Sequence, residues 1–307
     1  MNRLLRAVAS QAWAMSPEYV DAMLGVLSSR LEGKLSAEDV EARIHPNREK
    51  SIANSDGSIA VIPVRGVISN RASMIEDVSV GAGTSAERIT SNVREAMGDS
   101  QIKAIVLDVD SPGGAAAGTP EAADAIREMR GGRKPIVAQV QGQAASAAYW
   151  IASAADEIVA TQSSQVGSIG VLSVHESVAK MLEDEGIEET IISAGRYKAD
   201  GNPYEPLSDT AREHMQDMVD KYYAMFVDAV AAGRGVDKSR VESRYGQGRS
   251  MLAGDADEVG MIDRVGTMQE TIERLGGRLE GGRQRQRAGN ARSVALARRR
   301  LNLEAAR

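Results

Sequence analysis

Apolar and polar positions alternate along the chain in a pattern that predicts buried strands separated by amphipathic helices. Three runs are almost continuously apolar and rich in β-branched residues, which is typical of buried parallel strands: 59–68, 102–110 and 134–140. Shorter strands are predicted near 157–160, 169–174 and 189–193. The helices predicted between these strands lie at 84–97, 119–130, 144–155 and 176–185. This order predicts an α/β fold of repeated βαβ units around a mostly parallel sheet.

Helix-start signals mark further elements on both sides of this region. Ser16 and Pro17 predict a helix that runs to Gly33, and Ser36 begins a second, short helix. Thr84 and Glu87 form a capping box for the helix at 84–97. Three helices are predicted after the last strand, at 208–232, 237–244 and 254–259.

The polar stretch 47–57 reads as a linker, and the composition changes again after residue 275. We therefore expect an N-terminal helical leader (1–50), a main domain (51–275) and a C-terminal tail (276–307). The tail is biased towards Gly, Arg and Gln and is predicted to be disordered. It carries a formal charge of +7, which leaves −13 on the other 275 residues of a chain whose net charge is −6.

The amino-acid composition limits the catalytic groups and metal sites that the chain can have. The chain has no cysteine and three scattered histidines, so it has no thiol nucleophile, disulfide or cysteine metal site, and we expect no metal or cofactor. No run approaches the roughly 18 apolar residues of a membrane-spanning helix. The first 15 residues lack the continuous apolar segment of a secretory signal. We therefore expect a cytoplasmic protein without a membrane anchor.

Two turns follow neighbouring predicted strands and bear candidate chemistry. SPGG (111–114) has two glycines, which let consecutive backbone N–H groups approach a ligand or form an oxyanion hole. Ser146 follows the next strand in QGQAAS (141–146), among alanines that leave space for a substrate. Both turns are expected at one edge of the sheet. Alternatively, SPGG is only a tight turn and Ser146 bonds a carbonyl within a packed helix.

A serine nucleophile needs a base, and Lys198 is a candidate because desolvation favours a neutral lysine. Ser168, in QVGSIGV (165–171), can orient such a lysine. The plain alternatives are a solvated lysine and a turn serine. His175 is a rival base in a Ser-His-Asp triad, although a surface or capping histidine fits its position too. Asp108 and Asp110 share a strand face, where salt-bridging or capping is favoured over metal binding.

Five motifs, in this order, resemble the S49 peptidases, the signal peptide peptidase A-like serine proteases. They are VLDVDSPGG, QAASAAYWIASAAD, QVGSIGV, GRYKADGNPYEPLS and GRSMLAGDADEVGMID, and they span roughly residues 58–266. The resemblance implies a ClpP/crotonase-like fold and a Ser-Lys dyad. By matching motif, Ser146 is the nucleophile, Lys198 the general base and Ser168 the lysine-orienting serine, with Gly113 and Gly114 in the oxyanion hole.

The N-terminal stretch QAWAMSPEYVDAMLGVL resembles the phage-type branch, the head-maturation or capsid-assembly proteases. That branch implies portal, scaffold and capsid proteins as substrates, during head maturation in the host cytoplasm or procapsid. The family implies a ring-like homo-oligomer in which adjacent subunits can share a site. The tail can serve as a docking segment for a protein or nucleic acid.

Several alternatives remain open. One is a cytosolic housekeeping protease similar to signal peptide peptidases, and another is a non-catalytic assembly protein on a protease fold. Within the fold, a ClpP-like triad that uses His175 and a crotonase-type acyl-CoA enzyme are further rivals.

Overall fold

The computed structural model of the chain describes residues 11–15, 20, 25, 28, 58–71, 83–132 and 134–277. In the helix predicted at 16–33, the three described residues, at 20, 25 and 28, are helical. The short helix predicted from Ser36, the linker 47–57 and the tail from 278 onward lie outside the described residues.

Strands and helices alternate through the main domain. The strands are β1 (Trp13–Met15), β2 (Ile59–Arg65), β3 (Ile68–Ser69), β4 (Thr84–Ser85), β5 (Ala104–Ser111), β6 (Gly113–Ala115), β7 (Ile136–Ala145), β8 (Glu157–Ala160), β9 (Gln165–Gly167), β10 (Ser250–Leu252) and β11 (Arg264–Val265). The helices are α1 (Ala86–Gly98), α2 (Thr119–Met129), α3 (Ala147–Ala152), α4 (Ala179–Asp184), α5 (Asp209–Arg234), α6 (Lys238–Arg244), α7 (Ala253–Val259) and α8 (268–277).

The central sheet has seven strands in the order β10-β9-β7-β5-β2, with β8 beside β7 and β11 beside β8. Strand β10 runs antiparallel to β9, whereas the other pairs in this sheet are parallel. The predicted α/β fold with a mostly parallel sheet is therefore confirmed. Ser111 at the end of β5 pairs with Ala144 near the end of β7, so SPGG and QGQAAS do share one sheet edge.

Both faces of the central strands are covered, which explains their continuous apolar runs. The larger core lies under α1, α2, α3 and α5, where Trp150 stacks on the chain's single Phe, Phe226, with ring centroids 4.5 Å apart. Val106, Val137 and Val159 on the opposite face pack against Leu275 of α8. The helix α8 was not predicted from the sequence.

A second sheet of four short strands, in the order β1-β6-β3-β4, lies beyond the end of β5. Its strand β6 consists of the two SPGG glycines and Ala115. Strand β1 pairs antiparallel with β6, and β3 pairs parallel with it. From the sequence, SPGG was predicted as a turn and β1 was not predicted, so the second sheet is a correction to the predicted fold.

Four local predictions need correction. The strand β7 continues to Ala145 because Ala144 and Ala145 pair with β9, so the helix predicted at 144–155 is shortened to α3. The strand predicted at 169–174 is replaced by β9 and a single bridge from Leu172 to Trp13. No strand forms at 189–193, because this exposed segment has no neighbouring strand among the described residues. Ser85, not Thr84, caps α1 by accepting from the N–H of Arg88.

The carboxyl end of α5 is tied to the sheet by an ion pair. Arg234 Nη1 and Nη2 donate to the two carboxylate oxygens of Asp263, at 2.8 and 2.7 Å. The same carboxylate accepts from the N–H of Ile158 in β8 at 2.8 Å. Burial alone would raise the pKa of Asp263, but the bonds from Arg234 and Ile158 outweigh it and lower that pKa.

Candidate active site

Ser146 occupies the junction between β7 and α3 in a backbone conformation that L residues rarely adopt. Its φ is +53° and its ψ is −118°, and only 1% of the residue is exposed. Its N–H donates to Gly167 O at 2.7 Å, and its carbonyl accepts from the N–H of Trp150 at 2.9 Å. These bonds hold the residue in place against a conformational cost of about 1–3 kcal/mol.

The hydroxyl of Ser146 does not cap the helix that follows it. Instead, Oγ donates to the carbonyl oxygen of Gly170 at 3.2 Å. Gly170 lies in the segment that follows β9. Strained conformations of this kind concentrate at functional sites. The alternative of a serine bonded back into its own helix is therefore not what the structure shows.

The two SPGG glycines are required by close backbone contacts. A Cβ on Gly113 would overlap Ala14 O and lie 2.9 Å from Ala145 O and 3.1 Å from Ala147 N. A Cβ on Gly114 would overlap the carbonyl of Ile68. Gly113 also has a φ of +102°, which favours glycine. The first glycine therefore lies directly against the residues that flank Ser146.

Ser111 has a role that the sequence analysis did not assign. It is fully buried, and its Oγ donates to Gly66 O at 2.6 Å and accepts from the N–H of Gly113 at 3.2 Å. The hydroxyl thus holds the start of the glycine strand in place. It also accepts a hydrogen bond from one of the N–H groups that were expected to form an oxyanion hole. Its position directly before Pro-Gly-Gly was the available signal.

Ser168 lies on the same segment as the acceptor of the Ser146 hydroxyl. It follows β9, has a φ of +52° and donates its N–H to Arg249 O at 3.0 Å. It is 7% exposed. Gly170, two residues later, was contained in the predicted motif but not singled out, although its carbonyl is what Ser146 Oγ contacts.

Lys198 lies apart from these residues in the described chain. It belongs to an exposed segment, 187–208, that contains neither helix nor strand. Its N–H donates to Gly195 O at 3.1 Å, and its side chain forms no hydrogen bond or ion pair within the described ranges. The structure therefore brings Ser146, Ser168, Gly113 and Gly114 into one region but leaves Lys198 in solvent.

The other predicted candidates have structural partners. His175 Nε2 lies 3.0 Å from Asn202 O, which fastens the loop after Lys198. Asp108 forms an ion pair with Arg65 and accepts from Gln141 Nε2 at 2.7 Å. Burial raises the pKa of neighbouring Asp110, against the opposing effects of the Gln143 N–H and Arg65. The prediction for Asp108 and Asp110 was salt-bridging or capping, and at Asp108 the structure shows the salt bridge.

A cleft of about 680 Å³ opens beside this region. One wall is the segment from Ser168 to Leu172 together with Met15 of β1, and α5 and α6 contribute the other wall. Tyr223 on α5 faces it, and burial followed by the charge of Glu242 raises the pKa of that phenol.

Within the described part of the chain, no group of three or more His, Asp or Glu side chains is arranged to hold a metal ion. The same residues include no helix with the length and apolar character needed to cross a membrane.

Comparison with known proteins shows which proteins the sequence of this chain is similar to. Residues 128–280 match the sequence profile described as Peptidase family S49. The chain is 35% identical over 243 residues to the capsid assembly protease C of Escherichia phage lambda, covering 78% of this chain and 54% of that protein. It is 37% identical over 219 residues to the head-tail preconnector protein GP5 of Enterobacteria phage P21, covering 70% and 43%.

Protease 4 of Haemophilus influenzae is 28% identical over 221 residues, which cover 72% of this chain and 35% of that protein. The chain thus spans about half the length, or less, of these curated relatives. The α/β architecture agrees with the fold that the family resemblance implies.

Proposed function

The chain belongs to peptidase family S49, and from this premise we propose that it is a serine endopeptidase with Ser146 as its nucleophile. The observation that carries the proposal is the conformation of Ser146. Its backbone is held at φ +53° with its flanking residues packed against Gly113, and its hydroxyl is left out of the cap of α3. Such an arrangement costs stability and leaves the oxygen available for chemistry.

The reaction proceeds through an acyl-enzyme. Lys198 accepts the proton of Ser146 Oγ, the oxygen attacks the scissile carbonyl carbon, and the lysine then protonates the departing amine. Water repeats the sequence to release the acyl group, and Ser168 orients the lysine. The backbone N–H groups of Gly113 and Gly114 stabilise the oxyanion, for which the N–H of Gly113 exchanges its present bond to Ser111 Oγ.

Lys198 reaches Ser146 from an adjacent copy of the chain. Two observations support this step: the side chain of Lys198 is exposed, and its segment presents large apolar side chains to solvent. Ile187, Ile191, Ile192 and Tyr197 are all exposed, with Ile192 at 95%. Exposed apolar residues in one continuous segment are typical of a contact surface, and a ring of copies would cover them.

The first test uses a fluorophosphonate probe, which reacts with an activated serine hydroxyl, and casein as a general substrate. We expect the wild-type chain to be labelled at Ser146 and to cleave casein, and Ser146→Ala to do neither. Ser153→Ala is the matched control, because Ser153 is buried at the other end of α3 and bonds Trp150 O at 2.7 Å. Labelling and cleavage by Ser146→Ala would exclude Ser146 as the nucleophile.

The second test separates the origin of the two residues. Ser146→Ala and Lys198→Ala are each expected to be inactive, but co-assembled in equal amounts they should recover activity at about one quarter of the sites. Recovery requires that the serine and lysine of one site come from different chains. Mixtures that stay inactive after co-expression would instead place both residues of a site on one chain.

The natural substrates are proposed to be phage head proteins, such as portal and scaffold proteins, in the host cytoplasm or the assembling head. The support is the similarity to two phage proteins whose names refer to capsid assembly and head-tail connection. Incubation with purified phage portal and scaffold proteins should give fragments that are lost in Ser146→Ala. Intact portal and scaffold proteins, under conditions where casein is cleaved, would remove this assignment.

A further inference from the structure

Strand β1 lies between two other backbone segments and is bonded to both. On one side Trp13 exchanges two hydrogen bonds with Leu172, at 2.8 and 2.9 Å. On the other side the carbonyl of Ala12 accepts from the N–H of Ala116 at 3.1 Å, and Ala14 pairs with Gly114. A three-residue strand bonded along both edges is held as a peptide would be in an extended binding site.

The carbonyl oxygen of Ala14 lies near the turn that holds Ser146. The position that a Cβ on Gly113 would take is bordered by three backbone atoms: Ala14 O, Ala145 O and Ala147 N. The last two belong to the residues on either side of Ser146. The peptide bond from Ala14 to Met15 therefore runs alongside the glycine strand, next to the residues that flank Ser146.

The two sides of this peptide bond differ in their surroundings. Ala14 is fully enclosed, so a residue with a small side chain fits before the bond. Met15 lines the 680 Å³ cleft together with Gly170, whose carbonyl accepts from Ser146 Oγ. Met15 is itself only 3% exposed, so Ala14 sits in a closed site and Met15 forms part of the cleft wall, and this difference gives the bond a defined register.

We propose that β1 is a substrate of its own chain, and that Ser146 cleaves the bond between Ala14 and Met15. The inference rests on the proposed peptidase function. Ser146 Oγ bonds to the carbonyl carbon of Ala14 as the bond to Met15 N breaks, and the serine proton passes through the general base to the new amine of Met15. Water then splits the Ala14 ester, which leaves an Ala14 carboxylate and restores the Ser146 hydroxyl.

Cleavage has a consequence for other substrates. While β1 is in place, it uses the backbone groups of Leu172 and Ala116 that another extended peptide would need. Release of the segment that ends at Ala14 frees those groups. The same register then selects peptides with a small residue before the scissile bond.

The experiment is N-terminal sequencing of purified full-length variants, with intact mass as the second measurement. Wild type is expected to begin at Met15, and Ser146→Ala to retain the segment before it. Ala14→Arg should also remain uncut, because an enclosed position cannot hold a long charged side chain. Gln11→Arg is the matched control, since Gln11 is exposed, and it should be cut as completely as wild type.

Other outcomes separate this inference from the proposed function. A wild-type chain that is labelled at Ser146 and cleaves casein, yet keeps its N-terminal segment, overturns self-cleavage alone. A Met15 terminus in Ser146→Ala overturns it too, because another protease would then have made the cut. A wild-type chain that keeps its segment, is not labelled and does not cleave casein removes both proposals. If Ala14→Arg fails to fold, wild type and Ser146→Ala still decide the question.

Discussion

The nucleophile side and the lysine side of the proposed site are built in opposite ways. Ser146 is 1% exposed, is bonded through its N–H, its carbonyl and its hydroxyl, and lies against a glycine strand with no space for a Cβ. Lys198 is exposed, and the backbone bonds around it are local turns, such as Asp200 N to Tyr197 O at 3.1 Å.

The difference shows which part of the site the chain's own core determines. Ser146, the proposed nucleophile, is placed by strand pairing and close packing, so its geometry is fixed as soon as the domain folds. Among the described residues, by contrast, no core residue forms a contact that positions the side chain of Lys198. Substitutions on the nucleophile side should therefore change the free energy of unfolding, whereas substitutions around Lys198 should change activity or assembly without changing stability.

Gly114→Ala should have the largest effect on stability. The added Cβ would overlap Ile68 O and lie 2.6 Å from both the C and N atoms of that residue, which are backbone atoms in a paired strand. We expect a loss of about 3 kcal/mol in the free energy of unfolding, measured by urea denaturation. Gly254→Ala is the control, because no atom lies within 4 Å of its Cβ position in α7, and it should be neutral or stabilise by up to about 1 kcal/mol. Equal stabilities for the two variants would show that the glycine strand is not tightly held.

At Ser146, the order of stability of the glycine and alanine variants is expected to be the reverse of the order at Ser153. Ser146→Gly should be more stable than Ser146→Ala by about 1–2 kcal/mol, because glycine adopts φ +53° without strain. Ser153, at the other end of α3, has a right-handed helical backbone conformation with a φ of −64°. At that position Ser153→Ala should therefore be more stable than Ser153→Gly, by about 0.5–1 kcal/mol. The measurement is urea denaturation of all four variants. The same order at both positions would mean that Ser146 is not strained.

The nucleophile side was largely predictable from sequence. The apolar runs of β5 and β7 are removed from water on both faces only in a buried sheet. Parallel strands in such a sheet place the turns that follow them at one edge. That is enough to bring SPGG and Ser146 together. The distance between Ser146 and Lys198 could not be predicted, since sequence order and motif spacing say nothing about where an exposed loop lies.

The misses share a physical cause. Ala144 and Ala145 have high helix propensity, but pairing with Val166 and Gly167 keeps them in β7. Trp13–Met15 carry no periodic signal, and they form a strand because two distant segments supply hydrogen-bond partners. The apolar pair Ile191 and Ile192 predicts a strand, yet the residues described here offer it no partner. In each case, contacts far away in sequence decide the local structure.

A smaller effect, which depends on pH, is expected at the ion pair between Arg234 at the end of α5 and Asp263. Because the pKa of Asp263 is lower in the folded chain than in the unfolded one, its contribution is complete above about pH 4 and is lost as the pH falls through the folded-state value. Asp263→Asn should cost about 1 kcal/mol at pH 7, a figure reduced by solvent screening of the partly exposed carboxylate. The cost should vanish at lower pH.

The measurement is urea denaturation of Asp263→Asn and wild type between pH 2 and pH 7, which gives the difference in their free energies of unfolding. This range of roughly five pH units spans the titration of a carboxyl group. Asp217→Asn, on the helix α5 that carries Arg234, is the control, because Asp217 pairs with Lys221 at 2.6 Å on an exposed surface. Its cost should stay within about 0.5 kcal/mol. A cost for Asp263→Asn that is constant with pH would contradict a lowered pKa.

The smallest effect on stability is expected in the segment around Lys198, and it completes the comparison. Ile192 is 95% exposed, so Ile192→Asn removes no packing within the chain and should change the free energy of unfolding by less than about 0.5 kcal/mol. The same substitution should lower the molar mass measured by light scattering, because it places a polar group in the proposed contact between copies. Glu189→Gln, a neighbouring exposed position, is the control and should leave the mass unchanged. If Ile192→Asn instead destabilised the monomer as strongly as a buried substitution, the Lys198 segment would belong to the chain's own core, and the contrast with Ser146 would fail.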